Sequence, residues 1–183
     1  GAAEKTLPAL KQDLRKALAA GDARLLGQTC AALRTMGGPE AAGVLLEQVE
    51  KAPAQSEPYW LLIDGAASFG DEPALAAVGR FVIERGKSPA ARDVLFALER
   101  NRLSTKSAAL IPIMDECAGD VALGAIRQLG EIRVPEVVDA LIARLTRTKD
   151  SDGELRRYLA GALANITGEH FGASVVNWEG WWK

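Results

Sequence analysis

Apolar residues recur along most of the chain at intervals of three and four residues, the period of an α-helix with one buried face. In residues 6–21, Leu10, Leu14 and Leu18 fall on one such face. No stretch shows the strict alternation of apolar and polar residues that is typical of a half-buried strand. The pattern therefore predicts an all-α protein.

Prolines and glycines divide this pattern into helices of roughly 11 to 15 residues. Proline is accepted in a first helical turn because the amides of that turn have no intrahelical acceptor. Five prolines fit this position: Pro39, Pro58, Pro73, Pro89 and Pro135. Glycine can close a helix in a left-handed conformation. The expected helix ends are Gly21, Gly37, Gly70, Gly86, Gly119 and Gly130.

A short signature recurs near the end of every other helix: a small residue, an apolar residue, two variable positions, an apolar residue and glycine. It runs from Ala32 to Gly37, from Gly65 to Gly70, from Ala125 to Gly130 and, one residue longer, from Ala162 to Gly168. The pair Ala97-Leu98 keeps the first half of the signature but lacks the glycine, so that turn is the least well defined.

The prolines that start helices give an independent measure of the repeat. Pro73 follows Pro39 by 34 residues, and Pro135 follows Pro73 by 62, twice 31. A pair of helices of this length cannot bury both of its apolar stripes alone, whereas stacked pairs cover one another. The sequence therefore predicts a stack of about five helical hairpins.

These repeats resemble a known family. The helix end in "RRYLAGALANITG", the helix start in "VPEVVDALIARL" and the period are similar to bacterial HEAT repeats, in particular to the short form in phycobilisome-lyase-type proteins. The resemblance implies a right-handed α-α superhelix, a HEAT- or armadillo-type solenoid. Members of this family mainly bind proteins, and a few act as enzymes or bind DNA.

We expect one solenoid domain over residues 1–183. Residues 6–21 form a helix that covers the N-terminal end, residues 22–168 form the repeats, and residues 169–183 form a tryptophan-rich C-terminal cap. The chain begins at Gly1 instead of Met, which slightly favours an exported protein but leaves its compartment open. A fragment of a longer repeat protein is a further possibility.

The last seven residues hold three of the chain's 4 tryptophans: Trp178, Trp181 and Trp182. The last repeat of a solenoid leaves an apolar face without a neighbour, and indoles at helical spacing can cover it. An aromatic ligand pocket is the alternative, and we favour the cap. For Tyr59 and Trp60, at a helix start, we favour packing between repeats over an exposed hot spot.

Charge and composition exclude some classes of function. The net charge is −2, so no basic field attracts phosphate backbones, and nucleic acid is an unlikely partner. No apolar run approaches the roughly 20 residues needed to span a bilayer. We expect a monomer.

The sequence offers little catalytic chemistry. The single histidine, His170, has no patterned Ser or Cys nucleophile nearby and is interpreted as a turn residue. Cys30 and Cys117 follow no metal-ligand spacing and are expected to be buried, reduced thiols, with a disulfide as the alternative. Asp152 is expected to cap the helix that begins near Glu154. No metal and no cofactor are predicted.

In HEAT-like solenoids the second helix of each pair lines the concave surface, as the resemblance implies. The polar positions of these helices are Glu47, Gln48, Lys51, Arg80, Glu84, Asp115, Glu116, Arg144 and Arg147. Mixed charge favours a protein partner over a polyanion, although these residues could also be ordinary solvated surface. We predict a non-enzymatic protein-binding or scaffold module with the candidate contact residues Glu47, Gln48, Arg80, Glu84, Arg144 and Arg147. The alternative is a HEAT-like enzyme of lyase or DNA-glycosylase type with a pocket on the concave face.

Overall fold

The computed structural model describes residues 5–183, which contain eleven α-helices, two short 3-10 segments at Leu98–Arg100 and Ser104–Lys106, and no strand. The helices are α1 Leu7–Ala20, α2 Ala23–Met36, α3 Gly38–Val49, α4 Glu57–Ala67, α5 Glu72–Arg85, α6 Pro89–Ala97, α7 Ser107–Glu116, α8 Gly119–Leu129, α9 Pro135–Arg147, α10 Gly153–Thr167 and α11 Val175–Trp182. The all-α prediction is confirmed. Gly1 and the next three residues of the predicted domain lie outside the described residues.

The chain divides into two compact units, Gly1–Ala109 and Leu110–Lys183. In the first unit α1 packs on α2, as expected for a helix that covers the N-terminal end. The first helices of successive pairs stack as α2 on α4 and α4 on α6, and the second helices α3 and α5 pack on each other. The single-domain interpretation stays a prediction.

In the second unit α10 packs on both α8 and α9, and α11 packs on α9. The helix α11 therefore takes the place of a second helix in the fifth pair. The segment 169–183, predicted as a cap, thus gives the fifth pair a second helix of 8 residues.

The recurring signature owes its composition to packing between repeats. Its first apolar position is fully buried wherever it occurs, at Leu33, Ala66, Leu98, Ile126 and Leu163. Its small position permits close approach: a Cβ added at Gly65 would lie 3.3 Å from the Cys30 Cβ and the Leu45 Cδ1. A larger side chain there would hold α4 away from α2 and α3.

Polar side chains join each turn to the repeat before it. The Gly38 amide donates to the Asp71 carboxylate at 2.9 Å. The buried Asn101 amide donates to the carbonyl groups of Ala67 and Phe69 at 3.0 and 2.9 Å. At the turn where the signature lacks its glycine, Asn101 thus closes the preceding repeat. The separations of 32 to 34 residues in these bonds match the period of the sequence.

The prolines predicted the helix starts more reliably than the glycines predicted the helix ends. All five prolines stand in first turns, as predicted. Gly21 and Gly37, with φ of 63° and 70°, end α1 and α2 in the expected way. Three glycines lie near helix ends without a left-handed φ: Gly70, Gly86 and Gly130. The prediction for Gly119 is wrong, because α7 already ends at Glu116 and Gly119 begins α8.

Both cysteines are free thiols, but only Cys30 is buried, whereas Cys117 is half-buried. Burial raises the pKa of the Cys30 thiol to about 11. We expect Cys30 to react with a thiol reagent at pH 8 about 100-fold more slowly than a model thiol, because the thiolate is the nucleophile. Mass-resolved labelling measures the reaction rates of Cys30 and Cys117 separately. The denatured chain, in which the two thiols should react alike, is the control. Equal reactivity in the native protein would contradict this burial.

Candidate partner-binding surface

The six predicted contact residues all lie on second helices. Glu47 and Gln48 are on α3, Arg80 and Glu84 on α5, and Arg144 and Arg147 on α9. The first four belong to the first compact unit and the last two to the second. The two groups are therefore treated as two separate surfaces.

The Glu47 carboxylate of α3 forms ion pairs with two lysines, Lys51 just after α3 and Lys11 on α1. The Lys51 ammonium lies 2.6 Å from its Oε1 atom, and the Lys11 ammonium lies 3.5 Å from its Oε2 atom. The hydrogen bond from Lys51 and the charges of both lysines lower the pKa of the Glu47 carboxyl. The carboxylate therefore stays charged and keeps a defined direction.

A second charged group joins α3 to α5 through residues that the sequence interpretation missed. The Arg85 guanidinium donates to both carboxylate oxygens of Glu50, at 2.7 and 2.9 Å, and to Glu84 at 2.8 Å. It also stands 4.8 Å from the centre of the Phe81 ring. The hydrogen bond from Arg85 lowers the pKa of Glu50 and fixes this bidentate pair. Arg85 and Glu50 are 35 residues apart, about one repeat, and this spacing could have indicated that they lie side by side.

We call the charged residues in the C-terminal halves of α3 and α5 and directly after α3 the α3/α5 face: Glu47, Glu50, Lys51, Arg80, Glu84 and Arg85. Gln48 does not belong to it, because only 6% of its surface is exposed. The helix α3 packs against both α4 and α5, so most of its circumference is buried, Gln48 included. Gln48 is therefore wrong as a contact residue.

On α9 the two arginines differ. Arg147 is exposed and donates to Asp115 Oδ1 at 2.8 Å. Arg144 is half-buried, and its guanidinium points to the Met114 carbonyl and the Thr148 hydroxyl, both at 3.4 Å. Of the two, only Arg147 is exposed to a partner.

A pocket of about 130 Å³ beside Arg144 is lined by Cys117 and the carboxylates Asp152 and Glu154. Its volume is below the roughly 300 Å³ at which ligand pockets usually begin. Asp152 accepts a hydrogen bond from the Leu155 amide at 3.2 Å and so caps α10, as predicted. His170 lies exposed in the turn after α10, also as predicted. In residues 5–183 no cluster of three or more His, Cys, Asp or Glu could hold a metal ion.

The terminal tryptophans divide into one core residue and two surface residues. Trp178 is fully buried and donates from Nε1 to the Gly172 carbonyl at 2.8 Å. Trp181 and Trp182 are 41% and 36% exposed, so the greater part of each indole is covered, and their role in the cap stays a prediction. Their rings stack on each other 5.6 Å apart, the Trp181 ring also lies 6.1 Å from the Trp178 ring, and Trp182 donates from Nε1 to the Asp139 carboxylate of α9.

The aromatic pair at the start of α4 packs between repeats. Tyr59 is buried and donates to the Asp93 carboxylate of α6 at 2.6 Å. Trp60 is half-buried and contacts the Tyr59 ring edge-on at 5.2 Å. Burial and the Asp93 carboxylate both raise the pKa of the Tyr59 hydroxyl, so it donates at any physiological pH. The packing interpretation holds for Tyr59.

A comparison with protein families agrees with this geometry. The family of PBS lyase HEAT-like repeats matches residues 121–147, which run from α8 through α9. The chain contains a HEAT-like repeat. The match falls on one predicted hairpin, and the other HEAT-like pairs follow from the packing of their helices. No curated protein and no solved structure matches the chain significantly. No helix among residues 5–183 has the length and apolar character needed to cross a membrane.

Proposed function

We propose that the protein is a non-enzymatic binding module that recruits a protein partner through the α3/α5 face. The observation that carries the proposal is the array of exposed charges held in place by ion pairs along and between these helices. Side chains already fixed in direction lose less conformational entropy when a partner binds. HEAT-like repeats are helical modules, and stacked helices present extended surfaces of this kind.

The distribution of charge on this face favours a protein partner. Glu47, Glu50 and Glu84 supply three negative charges. Lys51, Arg80 and Arg85 supply three positive ones. A polyanion would meet three carboxylates, whereas a protein surface can place opposite charges against each sign. The bidentate Arg85–Glu50 pair fixes the direction of one positive and one negative side chain on this face.

Stability alone does not account for these ion pairs. The side chains of Glu47, Lys51 and Glu84 are 42%, 60% and 54% exposed. Ion pairs this exposed contribute about 0–1 kcal/mol, because water and salt screen them. The face can therefore be changed without loss of the fold, which makes it accessible to mutation.

The double variant Arg80→Ala/Glu84→Ala is expected to weaken capture of the native partner at least about tenfold, since interface charges commonly act in this range. Its melting temperature should stay within a few degrees of wild type. Affinity capture from the source cell, followed by titration of the protein captured, measures the effect.

The matched control is Arg24→Ala/Glu57→Ala, which removes the same two charges from exposed positions on α2 and α4. It should capture the partner as wild type does. Capture that survives the change on the α3/α5 face, or falls equally in both double variants, would refute the proposal.

A further inference from the structure

A groove of about 450 Å³ lies between α8 and α10 in the second unit, on first helices and not on the second helices considered so far. Gly130 and Gly161 contribute no side chain to its lining, and we call these two positions its floor; the other lining residues are Arg127, Arg157, Tyr158, Ala162 and Asn165.

Two local contacts build the groove. A Cβ at Gly130 would lie 3.1 Å from both Cα and Cβ of Ala162, so the end of α8 rests almost directly on α10. Asn165 donates from Nδ2 to the Gly130 carbonyl at 2.7 Å and holds this approach in place. At Gly161, by contrast, an added Cβ would meet nothing within 4 Å. The floor there is bare backbone open to solvent.

The charge of the groove opposes that of the whole chain. The protein carries a net charge of −2, yet the lining contains two arginines and no carboxylate. Glu131 and Glu154, which are near in sequence, are not among the lining residues. Within residues 5–183 the exposed Arg157 guanidinium has no hydrogen-bond or ion-pair partner. Its donors are therefore available to a ligand.

We propose that this groove binds an acidic peptide segment of a protein partner. A carboxylate side chain of that segment accepts a bidentate pair of hydrogen bonds from Arg157, the geometry for which guanidinium is suited. The peptide backbone crosses the bare floor at Gly161. Tyr158, 39% exposed, packs against the neighbouring residue of the peptide.

A peptide fits this groove better than a nucleic acid. Binding to a phosphate backbone draws on many clustered cations, whereas this lining has two. The Arg157 guanidinium beside the exposed backbone of Gly161 instead matches a short segment with a carboxylate. The site is separate from the α3/α5 face, so either proposal can fail without the other.

Fluorescence anisotropy with a fluorescein-labelled glutamate peptide of about ten residues tests the charge of the groove, with the corresponding glutamine peptide as the neutral probe. We expect the glutamate peptide alone to bind. Arg157→Gln should weaken binding about 10-fold or more, because a hydrogen bond to a charged group contributes about 1.5–3 kcal/mol. Arg157→Lys should restore only part of it. The matched control is Arg133→Gln, an exposed arginine outside the groove, which should bind as wild type.

A second pair of variants tests the shape of the groove at constant charge. Gly161→Phe fills the floor from a position with open space, and Gly161→Ala makes the same helix more regular without filling it. The phenylalanine variant should lose binding, and the alanine variant should keep it. Circular dichroism shows that both are folded.

Several outcomes would overturn the inference. They are equal binding of the two peptides, unchanged binding in Arg157→Gln and Gly161→Phe, or tighter Arg157-dependent binding of inorganic polyphosphate than of the peptide. Loss of peptide binding in Arg80→Ala/Glu84→Ala, with binding kept in both groove variants, would refute this inference and leave the proposed function standing.

Discussion

Replacing Gly79 with alanine is expected to destabilise the first unit by about 2 kcal/mol or more, since overpacking in a close-packed core commonly costs about 1–3 kcal/mol and here acts on backbone. A Cβ at Gly79 would lie 2.7 Å from the Ala109 carbonyl oxygen and 2.8 Å from the Ala109 Cα. Gly79 is buried in α5, and backbone atoms cannot turn aside as a flexible side chain can. The expected result is a lower urea midpoint and a lower melting temperature.

The same substitution at Gly43 should have the opposite sign. Gly43 is exposed on α3, and an added Cβ would meet nothing within 4 Å. Alanine there should stabilise by about 0.5–1 kcal/mol through its higher helix propensity and the reduced freedom of the unfolded chain. Equal shifts for the two variants would show that α5 does not approach Ala109 as closely as the structure has it.

The helix starts were predictable because their cause is local. A proline such as Pro135 needs only its own first turn to be accepted, so the sequence contains the whole argument. Glycine is different. Gly37 ends α2, whereas Gly119 begins α8, and both have a positive φ. Which side of the glycine carries the helix depends on packing that the glycine itself does not encode.

The polar residues of the candidate surface show a similar division. The period predicted that the second helices carry charged positions, and Arg147 and Glu84 are exposed as expected. The pattern did not show that Gln48 faces inward, because only the structure reveals that α3 packs against α2, α4 and α5. A polar residue on a helix that packs against several others cannot be assigned to the exposed side from the helical period alone.

The groove between α8 and α10 was not predicted from the sequence. Arg127 and Arg157 are 30 residues apart in the sequence and meet only because Gly130 lets α8 rest on Ala162. The repeat period gives a hint, since residues about one repeat apart lie side by side on neighbouring first helices. Gly130 and Gly161 place no side chains on the floor. Whether this leaves an open space depends on the distance between the helices, which the sequence does not give.

Replacing Trp178 with alanine should destabilise the second unit by about 3–5 kcal/mol, the range for removing a fully buried aromatic side chain. Trp178 has no exposed surface, contacts the Phe171 ring edge-on at 4.9 Å, and supplies the hydrogen bond to the Gly172 carbonyl. Its removal leaves both a cavity and an acceptor without its donor. Thermal and urea unfolding, followed by circular dichroism, measure the loss.

Two variants separate the parts of this effect. Trp178→Phe keeps one aromatic ring but neither the second ring nor the N–H donor, so about 1–3 kcal/mol should be lost through the cavity and the missing hydrogen bond. Trp181→Ala removes an indole of the same size that is 41% exposed, and its effect should stay near 1 kcal/mol or below, as is usual for surface positions. If Trp181→Ala proved as damaging as Trp178→Ala, the two indoles would contribute alike to the core. The position of α11 on α9 would then have to be reversed, with Trp181 facing inward.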